Sequence, residues 1–187
     1  MRRLLPPPGS GASVLAVGAG DSRLSSDLAT EGWHVTSIDF SPQVTAHMLR
    51  RYPGLDFRTM DARNMSFPSG HFSSVLDKGL SDCIGTSAER RGYFRELHRV
   101  VASPGGRLVV ISMKSLEWPR DFGEVWSCEK PESFMGSQFY EDTMNDPPKP
   151  LPGTEGQIPY YLTSCTALDE AASSGLELIY DVDDEDL

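Results

Sequence analysis

A doubly wound α/β fold, with a mostly parallel sheet and helices on both faces, is what this sequence predicts, and three observations carry it. Short apolar runs rich in β-branched residues alternate with longer segments of helical spacing. The first run passes into a glycine turn, V-L-A-V-G-A-G-D-S over residues 14–22. The runs that follow keep ending on an acid. A buried parallel strand needs only a short apolar run, and each right-handed crossover between parallel strands lays a helix on one face of the sheet. Four strand-then-helix units in succession therefore predict both faces covered.

In chain order, residues 1–12 read as a disordered lead, because Pro6, Pro7 and Pro8 stop a helix and Gly9 and Gly11 add freedom. The first strand is residues 13–17. Gly18 and Gly20 let the next turn bring its backbone close to a ligand, where a side chain would block the approach. Ser22 is placed to cap the following helix, Leu24 and Leu28 share its buried face, and Gly32 ends it. Residues 34–39, H-V-T-S-I-D, form the second strand. Ser41 and Pro42 are a capping hydroxyl and a first-turn proline, and Val44 and Met48 then share a face. Tyr52-Pro53-Gly54 breaks that helix before a third strand over 55–60, which is followed by Asp61. Pro68-Ser69-Gly70 turns the chain into a fourth strand over 72–77. A helix over 87–101 carries Tyr93 or Phe94, Leu97 and Val100 or Val101 at helical spacing. Ser103-Pro104-Gly105-Gly106 then launches a fifth strand over 107–113.

The remainder is less regular. Residues 127–157 hold Pro131, Pro147, Pro148, Pro150 and Pro152 without a clear period, so a long mobile insertion is expected there. Residues 158–164 read as the last strand, with Pro159 suiting an edge or a strand start. Residues 166–174 form a short expected helix and 176–180 a final apolar patch. The organisation is thus a lead over 1–12, one domain over 13–180 and an acidic tail over 181–187.

Composition narrows the function. A chain of 187 residues can bury one full core but not two. No stretch approaches the ~18 consecutive apolar residues of a membrane span, and the proline triplet interrupts any signal-type apolar region, so no membrane partner is expected. A formal charge of −10 with scattered Lys and Arg argues against a nucleic-acid partner. Cys83, Cys128 and Cys165 are an odd, widely spaced set lacking C-x-x-C, so neither a disulfide framework nor a metal site is expected, and a reducing, cytoplasmic location fits. The run D-V-D-D-E-D at 181–186 reads as a solvated tail.

The chemistry gathers at strand ends. Asp39 lies about 20 residues beyond the glycine turn, where its carboxylate can accept both ribose hydroxyls of an adenosine ligand. That arrangement serves NAD and S-adenosylmethionine alike. A dinucleotide site wants a third glycine, and Arg23 stands there instead. Asp61 suits the exocyclic amine of adenine, and Phe40 can lie against the ring. Asp77-Lys78-Gly79 closes the fourth strand beside the place for a methionine moiety, with carbonyls or a carboxylate to meet its ammonium group.

These residues resemble a known family. V-L-A-V-G-A-G-D-S-R-L-S, V-T-S-I-D-F-S-P, M-D-A-R-N-M-S-F-P-S-G-H-F-S-S-V-L-D-K-G and S-P-G-G-R-L-V-V-I-S-M resemble the Rossmann-like class I S-adenosylmethionine-dependent methyltransferases. More narrowly, they resemble the branch that methylates lysines of elongation factor 1A, whose sibling branch methylates mitochondrial citrate synthase. The resemblance implies S-adenosylmethionine as cofactor, a protein lysine as acceptor, and cofactor contacts from Gly18, Asp39, Phe40, Asp61, Ala62 and, through its backbone, Lys78. Gly20 and Asp77 complete the expected set. Asp77 and Asp82 are candidates, by location, to take the acceptor's proton, and Trp118 and Tyr160 to line an acceptor channel. The sibling branch makes the mitochondrion the alternative location. Three other readings stay open: a cofactor-binding partner protein without turnover, a small-molecule methyltransferase, and a dehydrogenase, which leaves Arg23, Asp61 and the D-K-G turn without roles. The family carries an aromatic segment before the first strand that folds over the cofactor. With a dozen residues in that place here, an uncovered pocket and weak cofactor binding are expected unless a partner or residues 127–157 fold over the site.

Overall fold

Val14 and Leu15 have no solvent exposure, because the strand they form, β1 (Ser13–Val17), lies mid-sheet with a parallel neighbour on each side. The computed structural model of the chain describes residues 2–137 and 157–169. The parallel strands are completed by β2 (His34–Asp39), β3 (Asp56–Thr59), β4 (Ser74–Lys78) and β5 (Arg107–Ser112). Their helices are α1 (Leu24–Thr30), α2 (Pro42–Arg51) and α3 (Ser87–Val100). With β6 (Trp126–Cys128), β7 (Glu132–Ser137) and β8 (Gln157–Ala167) the sheet order is β3-β2-β1-β4-β5-β8-β6, and β7 also pairs with β8. The doubly wound, mostly parallel sheet is as the sequence predicts. Chain direction across the sheet reverses between β1 and β4, and such a switch point opens a crevice at the carboxyl ends of the strands.

Alternation along the strands splits the core. Leu15, Val17, Val75, Leu108 and Val110 face α3, whose Tyr93, Phe94, Leu97 and Val100 complete the larger cluster. Val14, Leu76 and Val109 face the other way, against Leu28 of α1. Polar pairs stitch helices to strands where the core thins: Ser37 to Ser25 at 2.8 Å and Thr45 to Thr59 at 2.8 Å. Ser41 caps α2 by accepting the Val44 N–H, with Pro42 in the first turn. Thr86 and Glu89 form a reciprocal cap on α3. Ser22 does accept the Leu24 N–H at 3.2 Å, although Arg23 occupies the cap position of α1.

The structure corrects four expectations. The crossover from β3 to β4 carries no helix; α3 holds it instead, Glu96 accepting the Met65 N–H and Arg99 donating to the carbonyls of Met65 and Phe67. The lead is ordered: Arg2–Leu4 form a 3₁₀ turn, Leu5 is buried beside Val14, Leu28 and Trp33, and the Trp33 indole N–H donates to the Pro6 carbonyl at 2.7 Å. Prolines forbid a helix there but permit an extended segment that packs Leu5 into the α1 face of the core. That segment borders Ser73 and Gly105–Arg107, at the amino ends of β4 and β5 and therefore opposite the crevice. Part of the expected insertion is sheet, since β6 and β7 run antiparallel to β8. Residues 138–156 lie outside the described residues. Finally, Cys128 and Cys165 form a disulfide of 2.06 Å. They stand directly opposite in the β6–β8 register, a pairing that a separation of 37 residues gives no sign of.

β8 also runs longer than expected, absorbing Thr166 and Ala167 from the anticipated helix. Pro159 is tolerated within it because β5 pairs only with Tyr161–Thr166, so Pro159 has a strand neighbour, β7, on one side alone. The rest of that helix from residue 170, the apolar patch and the acidic tail fall outside the described residues.

Candidate active site

A cavity of about 670 Å³ opens along the carboxyl edge. The exits of β1, β2, β4 and β5 meet there because register places Val17 beside Ile38 and Asp77, and Lys78 beside Ile111. Gly18, Ala19 and Gly20 form one wall, Asp39 the floor toward β2, and Lys78, Gly79, Leu80, Asp82 and Cys83 the opposite wall. Ile111, Met113 and Tyr160 close the far end.

Glycine is required at the turn. Gly18 has φ +55°, and a Cβ there would sit 2.8 Å from the Leu80 Cβ. Only a bare backbone lets the β1 and β4 exits approach this closely. Asp39 is fixed by two backbone donors, Gly20 N–H to Oδ2 and Ser41 N–H to Oδ1, each at 2.9 Å. Each oxygen keeps unused acceptor capacity, so the carboxylate is held in orientation yet able to accept a vicinal diol. Phe40, next in sequence, leaves 74% of its surface exposed. An apolar ring so exposed beside a diol acceptor suits the flat face of a nucleobase.

Of the residues that the sequence singles out, Gly18, Gly20, Asp39, Lys78 and Asp82 line this cavity, and Tyr160 does too. Phe40, Asp61, Ala62, Asp77 and Trp118 are outside its lining. Ala62 is buried in the larger core. Arg63 grips Asp61 with its Nε at 3.0 Å and a terminal nitrogen at 2.8 Å, and holds its carboxyl below the usual range. An amine donor reaching Asp61 therefore competes with a guanidinium.

Asp77 is corrected more sharply. Its side chain is fully buried and points away from the crevice, accepting the N–H groups of Leu80 at 2.9 Å and Ser81 at 3.1 Å and the Tyr93 hydroxyl at 3.0 Å. Burial pushes its carboxyl up to about 6, against the opposing hydrogen bonds from Tyr93, Ser81 and Leu80. Outside the cavity lining, it is a brace under the Lys78–Cys83 turn. Asp82 accepts from the Ser112 hydroxyl at 2.5 Å and the Met113 N–H at 3.0 Å, tying that turn to the exit of β5. Leu80, Ile111 and Met113 were not legible as site residues. The signal that finds them is strand order, since β5 lies beside β4 and their exits share an edge.

Charge in the lining is unbalanced, with Asp21, Asp27, Asp39 and Asp82 against Arg23 and Lys78. Arg23 lies 3.6 Å from Asp27.

A glycine turn after β1, an anchored acid closing β2 and a crevice at the topological switch point define the nucleoside-cofactor class of α/β enzymes. Within that class, a family model described as a methyltransferase domain matches residues 14–106. The chain is 47% identical over 75 residues to EEF1A lysine methyltransferase 4 of Mus musculus, covering 38% of this chain and 29% of that protein. It is 38% identical over 111 residues to the eEF1A lysine and N-terminal methyltransferase homolog of Drosophila melanogaster, covering 54% and 16%. A solved S-adenosylmethionine-dependent methyltransferase from Methanosarcina mazei shares the fold, with TM-score 0.60 at 18% identity over 90% of this chain and 97% of that one. Over residues 14–106 the chain is thus similar to methyltransferase domains, and its fold is that of solved S-adenosylmethionine-dependent methyltransferases. It spans less than a third of the length of either curated relative.

Proposed function

We propose that this chain transfers a methyl group from S-adenosylmethionine to a lysine side chain of a protein, eEF1A being the protein named in the descriptions of its relatives. The observation that carries the reading is Asp39, anchored at both oxygens beside the Gly18-Ala19-Gly20 turn and lining a cavity. S-adenosylmethionine, when bound, supplies a methyl group on a positively charged sulfur, which is already an excellent leaving group.

The protein's task is then mainly positioning. Asp39 holds the ribose, Phe40 lies against the base, and the Lys78 backbone meets the amino-acid end. The Lys78–Cys83 turn is braced from below by Asp77 and tied sideways by Asp82, which fixes the wall across which the acceptor enters. A lysine must be neutral to attack, so its ammonium has to be desolvated beside a group that can receive the proton. Of the two acids that the sequence offers, Asp82 alone lines the cavity, which supports assigning it to meet that ammonium.

The test is incubation of the purified chain with tritiated S-adenosylmethionine and recombinant eEF1A, followed by peptide mass spectrometry. Methyl-lysine formation that is lost with Asp39→Ala supports the reading. Cofactor binding without transfer to eEF1A or to any protein of a cell lysate overturns it in favour of a cofactor-binding partner protein.

A further inference from the structure

The far end of the cavity is built from residues that an adenosine ligand does not need. Tyr160 of β8 and Phe134 of β7 are register partners, their rings stacked 5.7 Å apart at 22°. Met113 follows Ser112, which pairs with Tyr161, so it emerges alongside Tyr160, and both line the cavity. Met113 keeps 47% of its surface exposed and Phe134 43%. The described residues have few large apolar side chains left so exposed, and two of them flank the one aromatic ring that lines the cavity.

An apolar row joined to a cavity is a docking surface for part of a ligand, and its surroundings choose the sign of that ligand. Asp82 sits beside Met113, bonded to its N–H. Four carboxylates line the cavity against two cations, and the whole chain carries −10. Anionic and extended neutral occupants gain little here. A cation on an apolar stem gains twice: its methylenes cover Met113, and its charge faces the π-surface of the Tyr160–Phe134 pair and the Asp82 carboxylate.

We infer that Tyr160, Phe134 and Met113 form the acceptor platform of the enzyme, selecting a lysine side chain of a basic protein segment by stacking and charge. The inference rests on the methyl-transfer reading, because that reading makes this end of the cavity the acceptor's. Phe134 lies outside the cavity lining, so its contribution is to hold the Tyr160 ring and extend the apolar row, whereas Tyr160 meets the cation directly.

The probe is a fluorescent peptide, Gly-Ser-Lys-Lys-Lys-Ser-Gly, beside versions with all three lysines acetylated or replaced by glutamate. Each is titrated at physiological salt, with and without saturating S-adenosylhomocysteine. The wild-type chain should bind the lysine peptide about tenfold more tightly than either control. Phe134→Ala and Tyr160→Leu should each weaken it about fivefold, and Tyr160→Phe less than about twofold, the scale of one cation–π contact. S-adenosylhomocysteine should bind the Phe134→Ala protein as it binds the wild type, which certifies the fold. Equal binding of lysine and glutamate peptides, or unchanged lysine-peptide affinity in both Phe134→Ala and Tyr160→Leu, overturns the platform. Absence of S-adenosylhomocysteine binding in the wild type overturns the methyl-transfer reading instead, while the titrations without it still decide the platform.

Discussion

Replacing Asp77 by Asn should make this protein more stable at neutral pH. Asp77 is fully buried, with Tyr93, Leu80 and Ser81 as its hydrogen-bond donors, and burial lifts its carboxyl from 3.8 to about 6. A carboxyl whose folded pKa is raised favours the protonated form in the fold. Its contribution is most favourable below the unfolded value and is lost as pH rises through the folded one. A rise of about two units corresponds to roughly 3 kcal/mol of lost stability above pH 7, about half of that at pH 5 and little near pH 4. An asparagine with its carbonyl at the Oδ1 position keeps the Leu80 N–H bond at 2.9 Å and the longer Ser81 contact at 3.4 Å, and its amide donates to the Tyr93 oxygen in place of the Ser81 bond at 3.1 Å, without a charge to bury. Urea unfolding of wild type and Asp77→Asn at pH 8, 5 and 4 should show the variant ahead by about 3 kcal/mol at pH 8 and converging by pH 4, a Tm gain of about 6–12 °C at pH 8. Tyr93→Phe removes one donor to the carboxylate and should move the titration window upward. Asp77→Asn less stable than wild type by the same amount at all three pH values would refute the reasoning, because the ionised brace would then outweigh its burial.

The other outcomes follow from single contacts. Gly18→Ala must adopt φ +55° and displace Leu80, so chemical unfolding should show a loss of about 2–3 kcal/mol. Gly20→Ala has φ +56° but nothing within 4 Å and should lose only about 1 kcal/mol. Arg90→Met strips the fully buried Asp121 of a guanidinium at 2.8 Å. Burial pushes that carboxyl up and its hydrogen bonds pull it below the usual range, so losing the bonds from Arg90 should cost about 3 kcal/mol in a urea melt at pH 7. Peptide mapping of protein prepared without reductant should find Cys128 linked to Cys165 and Cys83 alkylated; alkylation of all three would contradict the pairing.

The strands that β-branched runs announce were legible to the residue, as β1 and β2 show, because parallel burial on both faces leaves a continuous apolar signature. The Ser41-Pro42 helix start was equally plain, since its information is local. Legibility failed where partners are distant. Leu5 is buried only because Val14, Leu28 and Trp33 surround it, and a proline triplet beside it says disorder in isolation. Cys128 and Cys165 meet only through the β6–β8 register. The strand-end acids look alike in sequence and differ in direction. Asp39 stays at the edge, tied to the glycine turn, while Asp77 turns into the core toward α3, and Tyr93, whose hydroxyl decides that, is 16 residues away. The β5–β8 end of the cavity was half legible: Tyr160 could be named, but Met113 and Phe134 join it only through sheet pairing.

The central claim is that one adenosine-bearing cofactor is held by Asp39 beside the Gly18–Gly20 turn. Calorimetric titration of S-adenosylhomocysteine, and separately of NAD, into the wild-type chain and Asp39→Ala tests it directly. Saturable one-site binding of S-adenosylhomocysteine, weakened by about a hundredfold or more when two charge-assisted hydrogen bonds of ~1.5–3 kcal/mol each are removed, with no binding of NAD, is the expected result. Equal affinity in the two proteins, or tight binding of NAD by the wild type, would contradict it.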